Sequence, residues 1–474
     1  MTPKGSRPVL RGLVGSNAHP ATQLIDFLAV LFGYAISGER TLEAFYERLQ
    51  PFAIPFMALF DRDQLPARST LSRFLAALTE APVEALRTLF LDDLESRPLS
   101  PDKQTGGLAD RAGNAWVVFD IDGTREAARQ RALPQTDELP PAFRRLDDVC
   151  APGYTGSKRG QVVRTRTVIS QAHSFQWLGS FANRGNGRYR TELRQGLASI
   201  TRYLAAYQLP QARTLLRLDG QYGTGAVLAD RAGFAFVTRG KEYTVLDHPL
   251  VQARLHLPPD QSQQRPESQT VRSLYDCPEV PVGSEGVRCR VVVATHPAGK
   301  KKSPVGVTRA GVVYELFFSN LPQQGFTASD VVELYLHRGA FEPALSDEDQ
   351  ELDPDRWCSP SAWGQECWQV ISQWVWNLRL ELGHQLHPFP HRGMARRPRP
   401  LPGKLVASQE PTFLSSPMGR SAVPQGSHFT LRSGGERLMA ACAWCMRPAF
   451  ATAVLVRCVS SVNGMGVLPR SLAK

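Results

Sequence analysis

The sequence predicts an α/β protein in which a helical N-terminal region precedes a mixed α/β core, and a β-rich segment is inserted into that core. Three observations lead to this class. Apolar residues recur with helical spacing through residues 21–95, whereas short apolar or alternating runs after Trp116 indicate strands. A stretch rich in Pro, Gln and Ser at residues 258–269 interrupts the second pattern. The length of 474 residues also exceeds what one ordinary core accommodates, so more than one folded part is expected.

The N-terminal helices are predicted from apolar residues at i, i+3, i+4 and i+7, the spacing of one buried helix face. The residues that show it are Leu24, Phe27, Leu28 and Leu31. After Pro66, the run Ser69–Leu75 combines small polar residues with an apolar face, which is typical of a helix start. Arg68 and Arg73 at this junction would grip DNA in a helix-turn-helix arrangement. A plain helical bundle explains the same pattern equally well.

The core is predicted from four elements in a fixed order. Trp116–Asp120 is a short apolar run that ends in an acidic residue, as expected of a buried strand whose carboxyl end opens onto a site. The other elements are a hairpin (Val162–Gln171 and Phe175–Phe181), an amphipathic helix (Glu192–Leu209) and a further strand (Thr214–Asp219). Strand, hairpin, helix and strand in this order are typical of a ribonuclease-H-like core, in which the first and fourth strands lie side by side.

Two further strands, Val287–Thr295 and Val312–Ser319, are predicted within the segment that interrupts the core. A helix is then predicted to begin at Thr327, because Asp330 follows three residues later in the manner of a capping box. The chain therefore divides into a helical DNA-binding region (1–105), the first part of the core (106–243), an inserted β subdomain (244–325), the second part of the core (326–386) and a basic, Pro-rich, disordered tail (387–474).

Three acidic residues lie at the ends or on the faces of predicted elements: Asp122 in WVVFDIDGT, Asp219 in TLLRLDGQYG and Glu342 in ELYLHRGAFE. Carboxylates that are distant in sequence but brought together by a fold are what two Mg²⁺ ions need, each ion acting on one side of a phosphoryl transfer. The formal net charge of +11 favours a polyanionic partner. Together these features predict an enzyme that cuts nucleic acid.

Basic residues at the predicted hairpin are candidate contacts for the DNA backbone: Lys158, Arg159, Arg164 and Arg166. The alternative is that they are ordinary solvent-facing strand residues. Residues 1–19 lack the continuous apolar segment of a signal peptide, and no apolar run reaches the roughly 18 residues of a membrane span. We therefore expect a cytoplasmic protein without a membrane partner.

These residues resemble the bacterial insertion-sequence transposases of the DDE type, in the group with a β-strand insertion between the second Asp and the Glu. The resemblance runs from about residue 65 to about residue 386. It rests on the D-G-T that begins at Asp122 and on Asp219 with FAFVTRGKEY downstream. The third motif is Tyr335-x2-Arg338-x3-Glu342, which matches the first three members of the family's Y-R-E-K signature.

The resemblance implies a ribonuclease-H-like core that depends on two Mg²⁺ ions, with Mn²⁺ as a substitute. The implied activity is cleavage at transposon ends and transfer of the freed 3′-hydroxyl into target DNA. The resemblance makes Asp122, Asp219 and Glu342 the catalytic metal ligands, and it places Tyr335 and Arg338 against phosphates near the transposon end. Double-stranded DNA is the implied partner, and the pairing of two DNA ends implies a homodimer.

Two departures from the family's pattern concern DNA contact. The family's Lys lies seven residues after the Glu, where this chain has Asp349 in an acidic stretch. Arg356 is the candidate that would supply the missing positive charge. Pro343 directly follows Glu342 and is expected to bend or end the helix there.

Three alternatives stay open on the sequence. VVFDIDGT also fits the first motif of haloacid-dehalogenase-type phosphatases, with Asp120 as nucleophile and Asp122 as general acid, although the Gly-Asp typical of a later motif of that family is absent from the sequence. Asp120 could replace Asp122 as the metal ligand of a transposase. A nuclease without strand transfer, or a catalytically inactive DNA-binding protein descended from a transposase, is the third alternative.

Overall fold

The computed structural model describes residues 20–96, 107–127, 150–153, 161–187, 189–264, 270–299 and 305–386. The α-helices in this part of the chain are α1 (Pro20–Ser37), α2 (Leu42–Leu49), α3 (Ala53–Ala58), α4 (Arg68–Ala77), α5 (Glu80–Ser96), α6 (Tyr189–Ala206), α7 (Gly225–Leu228), α8 (Pro249–Leu255), α9 (Ala328–Leu336), α10 (Phe341–Glu351) and α11 (Ala362–Leu386). The strands are β1 (Gly107–Ala109), β2 (Ala115–Ala127), β3 (Ala151–Gly153), β4 (Gln161–Gln171), β5 (Trp177–Arg184), β6 (Thr214–Leu218), β7 (Ala235–Arg239), β8 (Gln261–Gln264), β9 (Val271–Val282), β10 (Val287–Pro297), β11 (Val307–Arg309) and β12 (Val312–Ser319). The predicted tail, residues 387–474, lies outside the described residues.

The predicted N-terminal helices are present as α1 to α5, and α1, α4 and α5 pack against α11 near the end of the described chain. Aromatic rings make this contact. Tyr34 and Trp368 have ring centroids 5.0 Å apart, and Phe32 and Trp374 meet edge to face at 5.5 Å. Within the described ranges, the structure contains no helix that combines the length and the apolar character needed to cross a bilayer.

The central feature is a mixed sheet of twelve strands with the order β3-β4-β2-β6-β7-β12-β10-β9-β8, in which β5 also pairs with β4, β1 with β2 and β11 with β12. β2, β6 and β7 are parallel neighbours, and β4 and β5 form the predicted antiparallel hairpin. The predicted adjacency of the first and fourth core strands is therefore confirmed as the β2–β6 pair. Because these two strands are parallel, their carboxyl ends meet at one edge of the sheet.

The β-rich insertion predicted at residues 244–325 continues the central sheet. β12 pairs with β7 in antiparallel register, with Phe318 opposite Thr238, so β9, β10 and β12 continue the same sheet. The physical reason is that β7 would otherwise be an exposed edge, and an unpaired strand edge leaves backbone donors and acceptors unsatisfied.

Strand β2 separates two apolar cores by the alternation of its side chains. Its odd-numbered residues from Val117 to Ile121 join the larger core, which includes α6. Trp116 and Val118 join a smaller core with α9. By the same alternation, Asp120 and Asp122 lie on the α9 side of the sheet.

Candidate active site

The loop after β6 holds Asp219 at the carboxyl edge of the sheet, beside β2. The Asp219 amide donates to the carbonyl of Ile121 at 3.1 Å, and its side chain accepts a hydrogen bond from the Gln221 amide at 3.2 Å. The loop is tight: a Cβ on Gly223 would lie 1.9 Å from the carbonyl oxygen of Arg239. Only glycine fits there without a backbone shift, so the close approach fixes the direction in which the loop leaves β6.

A single guanidinium joins the two predicted metal ligands. Arg338 Nη2 donates to Asp219 Oδ1 at 2.8 Å, and Arg338 Nη1 lies 3.3 Å from Asp122 Oδ2. Arg338 is only 8% exposed. The structure thus brings Asp122 and Asp219 together around one cationic group, which neutralises their mutual repulsion.

Burial dominates the electrostatics of this group. It raises the pKa of Asp122; the charge of Arg338 opposes that rise and the charge of Asp219 adds to it. Burial also disfavours the charge of Arg338, but Asp122 and Asp219 together raise the pKa of Arg338 above its usual value. The site therefore favours a cation between the two carboxylates.

Glu342 does not join the pair, contrary to the prediction. Helix α9 ends at Leu336, a 3₁₀ turn spans His337–Ala340, and Glu342 is exposed in the first turn of α10. Phe341 anchors this turn by packing edge to face on Trp177 at 5.5 Å. Among the described residues, no three His, Cys, Asp or Glu side chains are grouped so that they could hold a metal ion.

The helix break also falls elsewhere than predicted. Pro343 was expected to bend or end the helix, yet α10 runs through it to Glu351. A proline in the first turn is tolerated because its missing amide has no intrahelical partner there. The interruption instead precedes α10, at the turn containing Gly339, so the expected single helical face from Tyr335 to Glu342 is divided.

Oxygen donors of this kind suit Mg²⁺, and the two carboxylates already share a cationic partner. The pair therefore fits a divalent cation in its donor chemistry, provided that the Arg338 side chain leaves the oxygens that it now binds. Within the described ranges, no third carboxylate is grouped with this pair as a possible metal ligand.

Tyr335 is in the interior, although the resemblance placed it against DNA phosphates. Its side chain is 7% exposed, and its ring meets Phe317 edge to face at 5.5 Å. Burial raises the pKa of the phenol. The guanidinium of Arg239 lies 5.1 Å from the centre of the same ring, at the end of β7. Arg239 was not among the predicted site residues, and it lies at the same sheet edge as the carboxylates; its place at the end of an apolar strand was the available signal.

Arg164 and Arg166 are buried, so their prediction as DNA contacts is wrong. Arg166 is 0% exposed; its Nε lies 2.9 Å from Asp355 Oδ1, and its Nη2 lies 3.6 Å from Glu348 Oε2. Arg164 lies 3.5 Å from Glu366. The two arginines fasten the segment from α10 to α11 onto β4, because that segment covers the strand face on which they lie. Lys158 and Arg159 lie outside the described residues.

Asp120 is closed off from any ligand by a buried ion pair. Arg217 on β6 lies opposite it in the β2–β6 register. The guanidinium donates from Nε to Asp120 Oδ1 at 2.7 Å and from Nη2 to Oδ2 at 2.6 Å. Both carboxylate oxygens are thereby bound, and neither residue is exposed by more than 3%. In this structure neither oxygen of Asp120 is free to act as the phosphatase nucleophile or as the alternative metal ligand.

A buried polar cluster supports β4, which is the neighbour of the strand that carries Asp122. Its members were not among the predicted site residues. Glu192 on α6 is 0% exposed and accepts hydrogen bonds from Thr167 Oγ1 at 2.5 Å and Asn183 Nδ2 at 2.9 Å. The Thr167 hydroxyl is also 3.0 Å from the phenol of Tyr222, in the loop after Asp219. Because Thr167 pairs with Gly123, this group ties β4 and the Asp219 loop to the strand that carries Asp122.

The fold and the site define a mixed α/β protein with a pair of carboxylates at the carboxyl edge of parallel strands. No family model matches the chain, and no curated protein matches it. Among solved structures, the chain is similar to a piggyBac transposase in a synaptic complex with hairpin DNA. The identity is 11% and the TM-score 0.39, over 80% of this chain and 70% of that one.

Proposed function

We propose that the protein is a DDE-type transposase, as the resemblance of its motifs implies, and that Asp122 and Asp219 form the centre of its active site. The proposal rests on one observation: Asp122 and Asp219, at the ends of two parallel strands, both contact the guanidinium of Arg338. The adjacency of β2 and β6, with the β4–β5 hairpin beside them, supports a ribonuclease-H-like core.

In this proposal the two carboxylates hold the divalent cations that the reaction needs. Bound Mg²⁺ would supply activation of the attacking oxygen and stabilisation of the leaving oxygen. Arg338 lies in the 3₁₀ turn His337–Ala340, and Glu342 follows this turn four residues after Arg338. One movement of this turn would therefore withdraw the guanidinium from the carboxylates and carry Glu342 at the same time.

A DNA phosphate is the partner that would draw Arg338 away. A guanidinium binds a phosphate with two parallel hydrogen bonds, as it binds a carboxylate, so the phosphate competes directly for the same donors. Double-stranded DNA would thus both bring the substrate and uncover the carboxylates. Pairing of two DNA ends calls for two active sites, so we propose a homodimer on DNA.

The test uses labelled duplexes copied from the DNA on either side of the gene, incubated with the protein and Mg²⁺ or Mn²⁺. Cleaved and joined strands are resolved on a denaturing gel, and binding is measured separately. Asp219→Asn should bind the duplex but not cut it. Asp61→Asn is the matched control, because Asp61 is exposed in a left-handed turn (φ 61°) that suits asparagine equally well. Cleavage without joining would instead identify a nuclease.

A second candidate is an inactive DNA-binding protein descended from a transposase. The exposed position of Glu342, apart from the pair, favours it, as does Asp349 in place of the family's Lys. Binding of the flanking duplexes without cleavage in either metal would select this candidate.

A further inference from the structure

A groove lies apart from the carboxylate pair, between the N-terminal helices and the segment that follows α10. Its volume is about 660 Å³. One wall is the turn between α1 and α2 with Arg40, the second is the first part of α4 with Arg68 and Arg73, and the third is the segment from Arg356 to Cys358.

The groove carries an excess of positive charge. Its lining contains four arginines and one carboxylate, that of Glu43, which pairs with Arg68 at 2.8 Å. Arg40 and Arg73 are exposed, and within the described ranges neither has an acidic partner; Arg73 donates only to the carbonyl of Ser69 in its own helix. Because Arg68 pairs with Glu43 and Arg356 pairs with Asp353 at 3.5 Å, two of the four guanidinium groups remain without a carboxylate partner in the described ranges, and such groups are suited to binding phosphates.

Arg356 forms a rigid part of this surface. Its guanidinium lies 4.9 Å from the centre of the Tyr34 ring and 5.7 Å from that of Trp368, and it donates to the carbonyl of Glu39. Stacking between two rings fixes the cation, so little side-chain entropy remains to be lost on binding a ligand. The neighbouring Trp357 is partly exposed in the same groove and offers an apolar surface to a sugar.

We propose that this groove binds the sugar–phosphate backbone of duplex DNA, as a contact surface additional to the active site. The identity of the polyanion rests on the proposed function, whereas the groove itself does not. Ser69 and Ser72 add hydroxyl groups that can donate to phosphate oxygens.

The test measures how the affinity for a labelled random-sequence duplex depends on KCl concentration, in the full chain without divalent metal. The double variant Arg40→Gln/Arg73→Gln should lower the slope of log Kd against log salt by about 1.8, which is about 0.9 for each lost phosphate contact. Arg73→Lys should keep the slope. Arg288→Gln, an exposed arginine on β10, is the matched control and should leave the slope unchanged.

An unchanged slope in the double variant, with thermal unfolding like the wild type, would overturn the groove as a DNA contact. This outcome differs from failure of the proposed function. Asp219→Asn keeps the groove intact, so loss of its cleavage activity with an unchanged slope concerns the active site alone. Conversely, if the protein has no cleavage activity but the groove binds DNA, the double variant would still show the lowered slope.

Discussion

The sharpest test of the site compares two aspartates on one strand face. Asp120→Asn and Asp122→Asn make the same chemical change two residues apart, on the side of β2 that faces α9. We expect opposite results. Asp120→Asn should destabilise the fold, whereas Asp122→Asn should leave stability nearly unchanged and remove the proposed DNA cleavage.

The magnitude for Asp120 follows from its partner. Arg217 is 0% exposed and gives two charge-assisted hydrogen bonds to Asp120, at 2.7 and 2.6 Å. Replacing the carboxylate by an amide leaves a buried guanidinium without its counter-charge, which costs about 3–5 kcal/mol of the free energy of unfolding. Asp122 differs because burial already raises its pKa, so losing its charge removes part of a desolvation cost. Its substitution should change stability by no more than about 1 kcal/mol.

The assay is unfolding in urea, followed by tryptophan fluorescence, with midpoints compared at equal slope. The double variant Asp120→Leu/Arg217→Met should recover most of the loss, because removing both charges abolishes the desolvation penalty of each. If Asp120→Asn were as stable as Asp122→Asn, the buried pair would not hold the strands together. If Asp120→Asn kept full stability but lost cleavage, Asp120 rather than Asp122 would be the active-site carboxylate.

The remaining predictions concern the cation site, pH dependence and the loop. Arg338→Gln should raise the affinity of the free protein for Mn²⁺, measured by titration of the Mn²⁺ electron paramagnetic resonance signal; an unchanged affinity would mean that the guanidinium does not compete for the carboxylates. Burial raises the pKa of Glu348 from 4.5 to about 8, so the folded state retains a proton that the unfolded state releases, and stability should fall as pH rises between these values. Glu348→Gln should flatten that dependence in urea unfolding measured across the range. Gly223→Ala should cost about 3 kcal/mol through its clash with the backbone, whereas Gly339→Ala meets nothing within 4 Å and should be neutral in thermal unfolding.

The parts of the fold that sequence could predict are those decided by neighbouring residues. Thr327 and Asp330 form both bonds of the predicted capping box, at 3.3 and 2.8 Å, because that motif needs only residues three positions apart. The convergence of Asp122 and Asp219 followed from one further assumption, that β2 and β6 are parallel neighbours. The first inference uses only a local sequence pattern, and the second adds the pairing of two strands.

The errors arose where a partner lies far away in sequence. Arg164 and Arg166 lie in a run of alternating apolar and polar or basic residues that suggested an exposed strand face, but Glu366 and Glu348 come from helices about two hundred residues later and bury that face. Likewise, Tyr335-x2-Arg338-x3-Glu342 has helical spacing, and only the packing of Phe341 on Trp177 shows that the helix is broken before the glutamate. Spacing alone contains no information about which element covers a face.

The choice between Asp120 and Asp122 shows what the sheet register adds to a motif. On β2 the two acids lie two residues apart, and on β6 Arg217 lies two residues before Asp219. The register places Asp120 opposite Arg217. This inner pair consists of one acidic and one basic residue, so its charges cancel without a further ion. Two residues further toward the carboxyl edge, continuation of this register brings Asp122 beside Asp219, and this outer pair requires a cation from elsewhere. Arg338 supplies that cation in this conformation. The need for a cation therefore depends on which residue lies beside each aspartate in the neighbouring strand or the loop after it. The motif contains both aspartates but not their neighbours, so it could not distinguish the structural carboxylate from the candidate ligand.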